Sequence, residues 1–284
     1  MTSYADIAAL VRDNEPVIRL AVFAGLLALL VSAEWLAPRR STVFRRGRWV
    51  PNFLVLVTDT LALRLAFPLL AVDAALLAQD AGWGVLNALD VAPWAALVVS
   101  LLALDCLIYA QHVLMHKVPV LWRLHRVHHT DVEFDVSTAV RFHPAEIALS
   151  MGLKMAAVML LGAPPLAVIV FEVLLNATAM FNHANFSLPL WLDRVLRQAV
   201  VTPDMHRVHH SVHHDETDSN YGFNLPWWDR LFGTYTDQPR DGHSAMQIGL
   251  PYLRAPRDQR FRVLLIQPLR RIGNNGTPAT ERSP

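Results

Sequence analysis

The chain has 284 residues, 53% of them hydrophobic and only 17% charged, and its mean hydropathy of +0.29 favours a membrane protein over a soluble one. With 25 Lys and Arg against 24 Asp and Glu, and no basic patch interleaved with aromatics, nucleic acid is excluded as a partner. The one cysteine, Cys106, excludes an internal disulfide, a cysteine-based zinc site and an iron–sulfur cluster held by the protein itself.

The first apolar run, Val17 to Ala37, is about as long as a bilayer span. It reads as an anchor helix and not as a cleaved leader, because Asp13 and Glu15 precede it and no small-residue cleavage site follows. Arg39, Arg40, Arg45, Arg46 and Arg48 come next, and an arginine excess beside a span marks the cytoplasmic side. The second run, Val50 to Leu77, carries Asp59, Arg64 and Asp73. It is expected to be a span with polar residues turned toward other helices, or a span plus an interfacial piece. The stretch from Gln79 to Pro93 has no Lys or Arg and belongs outside. A third run, Pro93 to His112, returns to the cytoplasm. Ile147–Leu161 and Leu166–Met180 flank a Gly-Ala-Pro-Pro turn and predict either a short tilted hairpin or two full spans.

The expected architecture is all-α: a polytopic membrane bundle of about four to five membrane segments under a cytosolic, histidine-rich helical cap. Residues 1–92 would be anchor helices, 93–240 a catalytic domain and 241–284 a polar tail with a disordered end.

Histidine is the anomaly. There are 13, and ten lie between His112 and His210 in a few tight words. His112 and His116 are spaced i, i+4 and project from one helix face, and Asp105 and Tyr109 continue the same edge. A carboxylate and a phenol beside a histidine pair suit the hydrogen bonds that orient metal-bound imidazoles. The word His-Arg-Val-His-His occurs twice, as His125, His128, His129 and as His206, His209, His210. On a helix the three rings of each word are expected to converge on one side. Eight imidazoles gathered on one membrane face offer ligands for more than one transition-metal ion, whereas leaving them buried and unpaired would cost stability. His143, just after the first word, and His183, at the end of the hairpin, are added as further ligands. His213 and His214 follow the second word, and His243 is left out as a loop residue. Asp204, Asp215, Glu216, Asp218 and Glu146 supply nearby carboxylates. The three words contain no Glu-x-x-His, so a carboxylate-bridged site is not indicated, and imidazole alone does not choose between iron, copper and zinc.

The ordered set HVLMH, HRVHH, RFHPAE, NHANF, TPDMHRVHH and ETDSNYGFNLPWWDRLFGTY resembles the fatty acid hydroxylase/sterol desaturase superfamily over about Asp105 to Tyr235. That resemblance implies a non-haem centre of two iron ions, with zinc as a possible substitute, that activates O2 and oxidises a lipid C–H bond. Carried over word by word, the ligands are His112, His116, His125, His128, His129, His143, His183, His206, His209 and His210. Asp105, Tyr109, His213, Asp218 and Asn220 would support them, with no catalytic group beyond the metal centre. The Asn220–Gly222 and Trp228–Thr234 stretch looks like a structural lid.

Electrons must come from outside, because the chain has no Gly-x-Gly-x-x-Gly motif and no cysteine cluster. Neither NAD, flavin nor haem is expected on it, and a separate reductase, ferredoxin or small cytochrome is implied. The other partners are a lipid substrate and membrane lipids. The Ala/Arg-rich composition points to a bacterium and so to its inner membrane, and the arginine cluster after the first span puts the histidine site on the cytoplasmic side. Desaturation or ether cleavage would begin with the same hydrogen abstraction as hydroxylation. A redox-inert zinc protein or a metal transporter is the reading from another class. Transport is disfavoured because transporters hold ligands near the midplane, while the two triplets lie outside the spans.

Overall fold

Proline sets where the main helices begin. Six helices carry it in their first turn, where its fixed φ suits the helix and its missing N–H costs nothing. The computed structural model describes residues 3–41 and 45–270. The side chains of Arg45 and Arg46, and residues 271–284 at the end of the expected tail, lie outside the described residues.

In chain order the helices are α1 (Tyr4–Asp13), α2 (Glu15–Leu36), α3 (Arg45–Ala66), α4 (Ala71–Asp80), α5 (Val85–Ala88), α6 (Pro93–Lys117), α7 (Pro119–His129), α8 (Pro144–Leu161), α9 (Pro165–His183), α10 (Leu190–Leu196), α11 (Pro203–His209), α12 (His214–Thr217), α13 (Trp227–Leu231), α14 (Gly242–Ala245) and α15 (Phe261–Ile266). A 3-10 turn, Val136–Val140, lies between α7 and α8. No strand occurs among the described residues.

Five stretches are long and apolar enough to cross a membrane: Glu15–Leu36, Gly47–Ala88, Pro93–Lys117, Pro144–Leu161 and Pro165–His183. The outermost, α2, buries only Leu30 and Glu34, and its other faces are apolar, as a lipid-facing helix requires. The run from Val50 to Leu77 is divided between α3 and α4, with Pro68 in the break, where it can neither donate a helical bond nor fit the preceding turn. The hairpin helices α8 and α9 have 18 and 19 residues, about 27 Å each and close to the hydrocarbon thickness. They exceed the apolar runs because α8 starts and α9 ends in polar, histidine-bearing sequence.

Central to the bundle is α9, which packs on α2, α4, α6 and α11. The C-terminal ends of α2, α6 and α9 and the N-terminal ends of α3 and α8 gather at one end, where α7, α11 and the 3-10 turn form the cap. Glu34 of α2 ties this end together by accepting from the amides of Val136 and Asn185, both at 2.8 Å. Arginines of the basic segment do the same. Arg39 pairs with Asp204, Arg40 donates to the carbonyls of His243 and Met246, and Arg48 donates to Asp131 at 2.5 Å and Asp135 at 2.9 Å. The basic segment and the histidines therefore share one end of the molecule.

Residues 241–270 are not a tail. Gln259, Leu264 and Gln267 are buried against the cap, Leu264 in a cluster with Val55 and Val127. Apolar residues interleaved with the polar ones give this segment a face to bury. Gln259 also accepts from the fully buried Arg141 at 2.9 Å.

Candidate metal centre

Two groups of histidines sit side by side at the capped end. The first is His112, His116, His125, His129 and His209; the second is His128, His183, His206 and His210. Within each group one ring nitrogen per residue lies within 4.8 Å of all the others. Each repeated word is split between the groups. The first gives His125 and His129 to one and His128 to the other; the second gives His206 and His210 to one and His209 to the other. The three rings of a word do not converge on one side as expected. Adjacent helical residues differ by about 100° around the axis, so His128 and His129 must face different ways, and so must His209 and His210.

Hydrogen bonds identify the nitrogen each ring leaves free. His112 Nδ1 lies 2.7 Å from the Tyr221 carbonyl, His209 Nδ1 2.7 Å from that of Ser219 and His183 Nδ1 2.7 Å from that of Ala179. A longer contact, 3.3 Å, joins His128 Nδ1 to the Arg141 carbonyl. His125 Nδ1 meets Glu146 Oε1 at 2.6 Å, and His116 Nδ1 meets Asp218 Oδ1 at 3.3 Å. Carbonyls and carboxylates only accept, so in these six rings Nδ1 carries the proton and Nε2 keeps a lone pair. Two pairs of those lone pairs point at one another: His112 and His125 Nε2 are 3.0 Å apart and His183 and His128 Nε2 3.1 Å, while His206 Nε2 lies 3.2 Å from that of His183. His116, His129 and His209 Nε2, and both nitrogens of His210, are buried without a partner. Facing lone pairs repel, and each unpaired buried nitrogen costs about 1–3 kcal/mol. A cation removes both penalties. Two nitrogens about 2.1 Å from one ion and at right angles are themselves about 3 Å apart, the spacing present here. The donor set therefore fits a transition-metal ion in each group.

Burial keeps the rings neutral, as ligation requires. Burial and then the neighbouring imidazoles hold His128, His129, His206 and His210 well below the ordinary histidine range, and burial takes His209 down to about 3.

His143 stands apart from both groups. Its Nδ1 accepts from the Ala145 amide at 3.1 Å, capping α8, and its Nε2 lies 3.1 Å from the Leu265 carbonyl, so both nitrogens are occupied. The proline that follows it makes His143 the N-cap and fixes its ring at the helix end. Of the supporting residues, Asp218 reaches His116, but the others do different work. Asp105 accepts from Trp228 Nε1 at 2.8 Å and the Leu225 amide at 3.3 Å, and the Tyr109 hydroxyl lies 2.9 Å from that of Thr234; both secure the lid segment. Asn220 adopts a left-handed φ of 51° and ties its amide group to Met205 and Thr236. Gly222 follows where a Cβ would meet Asp229 Oδ2 at 2.8 Å. This turn holds the Tyr221 carbonyl against His112. His213 pairs with Asp241 and faces away, and His214 is exposed. His243 is buried 3.6 Å from Asp204, not in an open loop, because the segment carrying it folds onto the cap.

Sequence reasoning did not find the buried clamp of Arg48, Asn52, Asp131, Asp135 and Arg141 beneath α7. Burial alone would raise Asp131, but the Arg48 and Arg141 guanidiniums hold its carboxyl at about 2. The only sequence signal was charge spaced within apolar stretches.

A cavity of about 360 Å³ lies between α3, α6, α8 and α9 and reaches His112 and His125. Its walls are largely apolar, including Leu56, Leu63, Ile108, Met115, Leu175 and Phe223. No member of the second histidine group lines it.

Residues 97–234 match the family model described as fatty acid hydroxylase. An ornithine lipid hydroxylase of Rhizobium tropici is 32% identical over 154 residues, 54% of this chain and 45% of that protein. A cholesterol 25-hydroxylase-like protein of Danio rerio is 35% identical over 141 residues, covering 49% and 54% of the two chains. Human alkylglycerol monooxygenase is 29% identical over 143 residues, 48% of this chain and 29% of that protein. The matched stretches thus span about half, or less, of these relatives' own lengths. No solved structure gives a significant match.

Proposed function

This chain belongs to the fatty acid hydroxylase superfamily, and from that premise we propose that it hydroxylates a C–H bond of a membrane lipid, using O2 at a centre of two iron ions. The observation that carries the reading is the convergence of nine imidazoles into two groups, one of them bordering an apolar cavity. Relatives named as an ornithine lipid hydroxylase, a cholesterol 25-hydroxylase-like protein and an alkylglycerol monooxygenase support a lipid as the substrate class.

His112, His116, His125, His129 and His209 would hold one ion, and His128, His183, His206 and His210 the other. Bound iron supplies the oxidising power toward O2 and C–H bonds that acid–base side chains lack. Tyr221, Ser219, Ala179, Arg141, Glu146 and Asp218 fix the tautomer and angle of the ligand rings through Nδ1. The cavity brings a lipid carbon to the first group laterally from the bilayer and keeps bulk water away. The balance is one C–H bond, one O2, two electrons and two protons, giving an alcohol and one water. The electrons come from a separate reductase, ferredoxin or small cytochrome. The basic segment at the histidine end supports a cytoplasmic orientation in a bacterial inner membrane.

Anaerobic loading with ferrous iron tests this directly. The expected result is two irons per chain, O2 uptake on reduction, and a lipid gaining one oxygen in cells that carry the protein. A preparation holding zinc tightly, with no O2 uptake under reduction, would overturn it. A lipid losing two hydrogens would assign desaturation to the same centre.

A further inference from the structure

We propose that the cavity accepts a lipid segment bearing a hydrogen-bond donor, an amine or a hydroxyl, and that Asp59 selects it. The proposal rests on the oxygenase reading and adds the chemical class of the group that enters the site. An ionisable side chain inside a membrane span is a functional signal, because it is costly there unless it is paired. Asp59 lies in α3, is only 5% exposed and lines the cavity, and its Oδ1 has no hydrogen-bond partner among the described residues. Two more lining residues leave acceptors unpaired: Gln111 Oε1 on α6 and Glu146 Oε2 on α8.

Several donors of this cavity are already committed, while the Ser150 hydroxyl and the Gln111 amide, which can each donate or accept, complete its polar lining. The Thr60 hydroxyl donates to the Leu56 carbonyl at 2.9 Å, and the Asn176 amide donates to the Glu172 carbonyl at 2.9 Å. The Nδ1 protons of His112 and His125 are given to Tyr221 and Glu146. No Lys or Arg among the described residues lines the space. The cavity therefore offers carboxyl oxygens and no cation. A carboxylate or phosphate brings only acceptors to these oxygens, whereas an amine or hydroxyl would satisfy groups that are otherwise bare. The Gln111 amide can be turned about.

A purely structural role predicts a partner for Asp59. Carboxylates that pin helices in this bundle have theirs: Glu34 holds the amides of Val136 and Asn185, and Glu172 pairs with Lys154 and Arg19. Asp59 reaches no other helix by a hydrogen bond.

The test is equilibrium binding of hexadecylamine, hexadecanol and hexadecanoate to the full chain in nanodiscs, loaded with zinc so that no turnover occurs. Binding is compared with Asp59→Leu and Asp59→Asn, which also corrects for partition into the lipid. The donor-bearing chains should bind about tenfold or more tightly than the carboxylate, and Asp59→Leu should erase that preference. If Asp59→Asn weakens the amine and spares the alcohol, the donor recognised is a cation. If the alcohol is the stronger ligand and Asp59→Asn keeps it, the donor is a hydroxyl. Tightest binding by hexadecanoate, or a preference that survives Asp59→Leu in a folded variant, would overturn the proposal. Because neither iron nor O2 is used, that outcome leaves the oxygenase reading standing, and a failure of O2 uptake leaves this one standing.

Discussion

The two histidine groups are built from the same two words but are held differently. The five-membered group takes part of its support from carboxylates, Glu146 on His125 and Asp218 on His116, and two of its members border the cavity. The four-membered group is anchored by the main-chain carbonyls of Arg141 and Ala179; aromatic rings border both groups, Phe142 on His128 at 4.4 Å and Trp122 on His116 at 4.9 Å. Anionic support raises the basicity of a ligand and places negative charge beside its ion, whereas a carbonyl mainly fixes direction. The comparison teaches that carboxylate support and access to the cavity belong to the same group, while the other is held by main-chain carbonyls away from that space.

The sharpest way to break the comparison is to remove one ring from each half. His209→Ala and His128→Ala should each abolish turnover and lower iron to at most about one per chain, since each removes a ligand whose nitrogen faces its group. Metal analysis beside O2 uptake reads both, and unchanged iron in either variant would dissolve that half. Next comes Glu146→Gln, expected to weaken metal affinity at the first group by about 10–100-fold while the second keeps its ion. Competition with a chelator resolves the two sites, and equal loss from both would erase the distinction. Asp218→Asn should act in the same direction but less, because its contact to His116 is 3.3 Å and it also serves Lys117.

Acid should bear on the metal-free protein in a defined direction. In the folded chain His209 titrates at about 3, and His128, His129, His206 and His210 also lie well below the ordinary value of about 6.5. The unfolded chain therefore binds more protons as pH falls below about 6.5, so stability is full above that value and declines below it. Thermal unfolding of the metal-free protein at pH 8, 6 and 5 should show falling midpoints, and bound metal should blunt the fall. The smallest effect is expected at His143→Ala, which removes a helix cap worth about 1 kcal/mol and leaves metal content unchanged. Metal loss in that variant would return His143 to the ligand set.

Much of this was legible beforehand because it is local. Span length, the turn at Gly162–Pro165 and the i, i+3, i+4 spacing of histidines depend only on helical geometry and hydropathy; they led to about four to five expected membrane segments, against five candidate spans, and to ten expected ligands, of which nine cluster. His143 misled because its word carries a ligand-type residue whose actual task, capping α8, is set by the proline after it. His243 and residues 241–270 misled because polar composition hid an apolar face that only the cap could reveal.

Sequence alone determined that this chain is a helical membrane protein with closely spaced histidines in excess of any structural need, since hydropathy and a 3.6-residue period are carried by neighbouring residues. Only the tertiary structure decided that each repeated word divides between two sites, which ring nitrogen is free, and that Asp59 borders the cavity unpaired. Those outcomes depend on where helices far apart in the chain come to rest against one another, and no local pattern encodes that.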